Sequence, residues 1–298
     1  MNHINTDVTS RIKDSNLEAD TIAIDTTNRL KVTDATGTGA GALLAGIGVG
    51  VDVSTFNDSV RTILDKSMLT AKDDLTINTK TQREIESTVA GVGIGAGGIS
   101  VNVLAVTVNE GIEQLGVAQD ADGKDTSFSH TGTINQALST VKKSMDTTID
   151  DLFSKSLYGM TDQEKGEMKN RMKSDQKNHS VVTGTGLLTE VGNDSKLKAT
   201  NGALTITNTE LNYANLNGGS GSMGAAAVNV ADVVYHLNEL NVISVKNSSL
   251  EGGRVSLTTH QGNVTKNKDE AIHLQTVQAG VGALAIGVGY AGLTTKGQ

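Results

Sequence analysis

The chain has 298 residues, a formal net charge of −8, only 2% aromatic residues and no cysteine, proline or tryptophan. Missing cysteine excludes disulfides, thiolate metal sites and thiol nucleophiles. The acidic balance, with no basic run longer than Lys142-Lys143, argues against a nucleic-acid partner, and the scarce aromatics argue against base or sugar stacking. Average usage would supply about 5% proline. Proline breaks strand ladders and is confined to edges and bulges, so its absence suits a chain made mostly of interior strand.

From the first residues onward a repeat is visible. An apolar residue followed by Asn occurs at Ile4-Asn5, Phe56-Asn57, Val108-Asn109 and Leu237-Asn238, and the first three asparagines are 52 residues apart. Ten residues beyond the asparagine a serine follows in three copies, Ser15, Ser67 and Ser248, and the third copy reads as having lost it while keeping Ile112 and Leu115. Downstream, Leu17, Leu69, Leu197 and Leu250 mark a first apolar station. Ile22, Leu75, Leu204 and Val255 mark a second, and Ile24, Ile77, Ile206 and Leu257 a third. Second and third stations are two apart, the strand period. The variable residues between first and second, such as Lys72-Asp73-Asp74 and Gly252-Gly253, are turn formers. Periods of this length signal stacked supersecondary units that bury one continuous core. The expected fold is therefore all-β: a right-handed parallel β-helix, with about two turns of the helix per repeat.

Each repeat then enters a Gly/Ala-rich run, Gly37 to Val53, Val89 to Val108, Gly218 to Ala231 and Ala279 to Gly292. Strict alternation, as in Gly46-Ile47-Gly48-Val49-Gly50-Val51, puts aliphatic side chains on one face of a strand and bare backbone on the other. The aliphatic face is expected to pack the core and the bare face to admit a second backbone. Val89 to Val108 also holds no charge, which keeps membrane contact open as the other reading.

Between the third and fourth asparagines the spacing far exceeds the period, which divides the chain into β-rungs over 1–115, an insert over 116–187 and further rungs over 188–298. Within the insert Ile134, Leu138, Val141, Met145, Ile149 and Leu152 fall at amphipathic helix spacing, with Lys142, Lys143, Asp146 and Asp150 facing elsewhere. Gly159 suits a helix end, and Thr161 with Glu164 forms a capping-box start for a second helix that carries Met168 and Met172 on one face. The resulting hairpin either shields an apolar patch or forms a contact module, and its residues Lys142, Lys143, Asp146, Asp150, Met168 and Met172 are the candidate interaction surface.

Other motifs carry little. Gly93-Gly95-Gly98 and Gly287-Gly289-Gly292 match G-x-G-x-x-G in spacing but sit inside alternating strand runs, not at the start of a helix. Asp120 to Asp125 lacks the twelfth-position glutamate of a calcium loop. The six histidines, His3, His130, His179, His236, His260 and His273, show no ligand spacing. No catalytic, metal or cofactor residues are assigned, and no cofactor is expected. The Met1 to Ser10 start has neither a basic n-region nor an apolar h-region, so the expectation is either a protein that is not exported or an interior piece of a longer precursor.

The pattern Val8, Ile12, Ser15, Leu17, followed by a Gly/Ala run and the Val101-Asn102-Val103 to Val108-Asn109-Glu110 close, resembles the repeat regions of large bacterial exoproteins. These are the filamentous-haemagglutinin-like passengers of two-partner secretion, and the similarity is greatest to the fusobacterial leukotoxin type. It covers most of residues 2–115 and 188–298. The resemblance implies export through a partner outer-membrane transporter, a secreted or cell-surface location and contact with a host cell surface or receptor. The expected function is a structural stalk and host-cell interaction surface of an adhesin or toxin, without catalysis. The alternatives are a pore-forming or membrane-active leukotoxin segment and a β-helical polysaccharide-degrading enzyme, which would call for clustered carboxylates on one face.

Overall fold

A computed structural model describes residues 2–109, 118–119, 125–126, 186–264 and 272–297. Among them every regular element is a strand. The chain opens with β1 (Asn2–Lys13), β2 (Asn16–Ala19), β3 (Ile22–Gly41), β4 (Ala45–Asp65), β5 (Met68–Ala71), β6 (Leu75–Ile94) and β7 (Gly97–Val108). The short β8 (Ala118–Gln119) and β9 (Asp125–Thr126) pair antiparallel. It continues with β10 (Gly186–Gly192), β11 (Lys196–Ala199), β12 (Ala203–Met223), β13 (Ala226–Glu239), β14 (Asn241–Val245), β15 (Ser249–Glu251), β16 (Arg254–Asn263), β17 (Ile272–Val281) and β18 (Leu284–Gly297).

Apart from the β8–β9 pair, the strands form three parallel sheets, which the chain visits in rotation. Sheet A holds β1, β4, β7, β10, β13, β14 and β18; sheet B holds β2, β5, β11 and β15; sheet C holds β3, β6, β12, β16 and β17. Each passage through A, B and C is one circuit, and equivalent stations lie side by side. Ile4 pairs with Phe56, Leu17 with Leu69 and Leu197, and Ile22 with Leu75 and Leu204. One circuit therefore takes one whole repeat, not half of one. The first half of the Gly/Ala run prolongs β3 and β6 to 20 residues each, and a single turn within the run, after Gly41 and after Ile94, carries the chain into β4 and β7.

The corner from sheet A to sheet B explains the serines. Asp14, Lys66, Asp194 and Asn247 have positive φ values of 48°, 49°, 65° and 47°, which swing the chain out of one strand and into the next. The following serine ties the corner down. Ser15, Ser67 and Ser248 each donate Oγ to the carbonyl two residues back, and the Ser15 and Ser67 amides donate to the Oγ of Ser67 and Ser195 in the next circuit, at 3.3 and 3.2 Å. The third copy has not lost its serine: Ser195 occupies that station, and Leu187 and Val191 stand opposite Val60 and Leu64. The sequence between Asn109 and Gly186 had hidden the continuation.

Inward residues follow even parity along β4 and odd parity along β6. Near sheet B they form an apolar cluster with Leu64, Leu69, Leu75, Ile77, Leu197 and Leu204 at its centre. Deeper between sheets A and C a second cluster contains Phe56, Ile85, Leu104, Leu216 and Tyr235. The four leucines of the first station are not equivalent, because Leu69 and Leu197 are buried whereas Leu17, in the first circuit, is 43% exposed.

Along β4 and β6 the alternating glycines are oriented opposite to the sequence expectation, whereas Gly37, Gly39, Gly41, Gly219 and Gly221 on β3 and β12 face outward. Gly46, Gly48, Gly91 and Gly93 point inward, while Val92 and Ile94 are about half exposed. Here sheets A and C converge too closely for a side chain at these positions: a Cβ at Gly46 would overlap the carbonyl of Ile94, and one at Gly93 that of Ile99. The bare face is the inner face because only hydrogen fits between the backbones, and the aliphatic side chains are turned outward. The helical hairpin expected over Ile134 to Met172 lies outside the described residues.

Candidate functional site

Lys142, Lys143, Asp146, Asp150, Met168 and Met172 lie outside the described residues. The structure adds two features that sequence reasoning did not single out, one inside the stack and one at its rim.

Inside, a polar seam separates the two apolar clusters. A hydroxyl chain runs Thr26, Thr62, Thr79 and Thr189 at 2.7 Å steps, ends on the Asn208 carbonyl at 2.6 Å, and reaches the fourth circuit through Asn208 Nδ2 to the Val242 carbonyl at 2.8 Å. Next to it lies an ion triad. Arg83 donates Nε and Nη2 to Asp58 Oδ1 at 3.0 and 2.7 Å, and Nη1 to Glu210 Oε1 and to Asn212 Oδ1, the latter at 2.8 Å. Thr81 and Asn28 also donate to Asp58, whose amide donates to Asn109 Oδ1 at 3.1 Å. Asp58 and Arg83 belong to the second circuit and Glu210 to the third.

All three triad side chains are at most 2% exposed. Burial raises the pKa of Glu210 and the nearby Arg83 guanidinium opposes the rise. The two carboxylates in turn hold Arg83 firmly protonated against the cost of its own burial. A triad this enclosed does not present a reacting group to a substrate. Its chemistry is a bridge between circuits two and three, at the step where the chain departs after Asn109 and returns at Gly186. Parity was the available signal: Arg83 follows Ile77, Thr79 and Thr81 at inward positions, where a cation needs buried anions.

At the rim, turns link sheet C to sheet A at Ala42-Leu43-Leu44, Gly95-Ala96, Gly224-Ala225 and Gly282-Ala283. Leu43 and Leu44 are 96% and 82% exposed. The Gly-Ala dipeptide recurring at the centre of each run was a legible sign of a turn.

No family model, curated protein or solved structure matches the chain.

Two further carboxylates have raised pKa values. Burial raises the pKa of Asp52, against the lowering effect of the Ser87 hydroxyl that donates to it at 2.9 Å. Asp232, on the outward face of β13 between Val103 and Tyr290, is pushed up to about 6 by burial. Among the described residues no group of three His, Cys, Asp or Glu side chains is placed to hold a metal ion. The six glycines of the two G-x-G-x-x-G matches lie on or between strands, so they offer no helix N-terminus to a phosphate.

Proposed function

We propose that this chain is a right-handed parallel β-helix and a stretch of a secreted or surface-exposed bacterial adhesin or toxin. In this reading it acts as a structural stalk that presents a host-cell contact surface, and it carries no catalytic machinery of its own. The observation that supports this most is the register. Serine, leucine and threonine stations stack circuit over circuit, and a hydrogen-bond chain crosses all four circuits. Such repetition builds length and stiffness and leaves function to what projects from the stack. The buried triad fits a stalk better than an enzyme, because it joins circuits and is closed to substrate. Export through a partner outer-membrane transporter follows from the exoprotein-like repeat and belongs to the same proposal.

The contact module is assigned to the stretch between Asn109 and Gly186, including Lys142, Lys143, Asp146, Asp150, Met168 and Met172. Strand register defines a clean excision. Removing 111–185 sets Glu110 directly before Gly186 and restores the order of Asn57-Asp58-Ser59, whereas a cut through Leu187 would remove a buried residue paired with Val60. The excised chain is expected to keep its β-type circular dichroism and a cooperative melt while losing binding to cultured animal cells. Unchanged cell binding by the folded variant would refute the assignment of the contact module. Hydrolysis of a glycan panel by the intact chain would refute the non-catalytic reading.

A further inference from the structure

The rim formed by the four sheet C to sheet A turns is a narrow apolar ridge. It is narrow because the glycine faces behind it let two sheets approach backbone to backbone. The stretches that enter and leave it, 37–51, 87–107, 211–231 and 274–295, contain no Asp, Glu, Lys or Arg. Leu43 and Leu44 crown it, and Ile94, Met223 and Val281 lie side by side on the sheet C flank with exposures of 48, 51 and 62%.

The backbone of the ridge is unusual for surface turns, which ordinarily leave polar groups to water. Ala42, Gly95 and Gly224 donate their amides to the carbonyls of Ile94, Met223 and Val281 at 2.9, 3.0 and 3.0 Å. Gly97, Ala225 and Leu284 donate to Leu44, Ala96 and Ala225 at 2.9, 2.8 and 3.1 Å. Turn is bonded to turn in the same manner as strand to strand. Paired backbone, no charge and large exposed aliphatic side chains are what an apolar phase requires of a segment that enters it.

We propose that this ridge inserts into the interfacial layer of a lipid bilayer. A bilayer suits the shape better than a second copy of the chain. The ridge is convex and about 20 Å long at the usual strand spacing, whereas a stable protein interface needs roughly 800 Å² of matched surface per partner. A fluid phase closes around a ridge that a rigid surface meets only along a line. The ridge has no basic residue and the chain is net negative, so the partner is neutral lipid and the attachment is insensitive to salt. This inference does not depend on the adhesin reading, and the ridge shares no residue with the 111–185 segment.

The test is flotation of the full chain with zwitterionic phosphatidylcholine vesicles, alongside Leu43→Asp/Leu44→Asp and Met68→Asp, the last at an exposed apolar residue of sheet B. The intact chain and Met68→Asp are expected to float equally at low and high salt. The double variant is expected to lose about tenfold or more of its partitioning, and Leu43→Ser/Leu44→Ser repeats the comparison should the aspartates disturb folding. The proposal is overturned if the intact chain stays in the dense fraction, if only anionic vesicles carry it up, or if the folded ridge variants float as well as the parent. Self-association that the ridge substitutions abolish, without vesicle binding, would assign the ridge to a second copy and overturn it equally.

Discussion

Near sheet B the interior is filled by side chains: Leu64, Leu69, Leu75 and Leu197 meet from three sheets, and beyond them the Arg83 triad occupies the space between A and C. Toward the ridge the same two sheets enclose only small polar side chains such as Ser100, Asn102 and Ser220, and Gly46, Gly48, Gly93 and Gly98 meet backbone with backbone. One region is held by burial and specific polar pairing, the other by close approach and hydrogen bonds between circuits. The hydrophobic effect stabilises the first directly. In the second it works against the isolated chain, because the aliphatic side chains displaced from the inside are left on the outside. The same repeat thus yields a stable body and an adhesive rim.

The largest expected effect comes from breaking the filled half at its charge. Arg83→Ala would strand Asp58 and Glu210 without their cation, and removing one partner of a buried pair costs about 3–5 kcal/mol, measurable as a lowered urea midpoint. Glu210→Gln keeps the shape and the Arg83–Asp58 pair, so it should cost far less. A loss from Glu210→Gln as large as that from Arg83→Ala would mean that the Glu210 charge is as necessary as the cation and that the Arg83–Asp58 pair does not suffice by itself.

The empty half is broken by adding atoms. Gly48→Ala places a Cβ against the Val92 carbonyl, which cannot yield without parting the sheets, and overpacking of this kind costs about 1–3 kcal/mol. Gly39→Ala, with nothing within 4 Å of the new Cβ, should be neutral or stabilising by about 0.4–1 kcal/mol through the unfolded state. Thermal melts of the pair distinguish an interior glycine face from an incidental run of small residues.

The smallest effect sharpens the contrast on the outer surface of sheet A. Asp232 is pushed up to about 6 in the folded chain, so folding favours its protonated form. Its contribution is fully present below the ordinary aspartate range and is lost as pH rises from about 4 to about 6. Asp232→Asn should remove that loss. The variant is expected to gain on the parent by about 1–2 kcal/mol between pH 4 and pH 7, read from urea melts at the two pH values. A difference that does not change with pH would show that the Asp232 carboxyl is solvated.

Much of the fold was legible because its signals are local. The 52-residue spacing of Asn5, Asn57 and Asn109, the second and third apolar stations two apart, and the turn residues at Lys72 to Asp74 and Gly252-Gly253 follow from strand parity and turn chemistry, which each stretch carries within itself. Paired parallel sheets followed from these. The missing third serine was misread because the Asn109 to Gly186 interval interrupts the period, and only strand pairing identifies Ser195 as its successor. Arg83, Asp58 and Glu210 were written at inward parity, but their meeting joins residues far apart in sequence, and no spacing rule specifies it.

Sequence by itself determined that this chain is strand-forming, repetitive, poor in charge along its glycine runs and free of thiol chemistry, since these depend on residue type and period alone. Tertiary structure decided which side of the glycine runs faces in. An alternating Gly/Val strand has two possible orientations, and the choice depends on the gap between the sheets. At the sheet B corner that gap is wide and takes leucines; at the far rim it is too narrow for a Cβ at Gly46, Gly48, Gly93 or Gly98. The distance between backbones, which no stretch encodes alone, turned the aliphatic face outward and made the ridge.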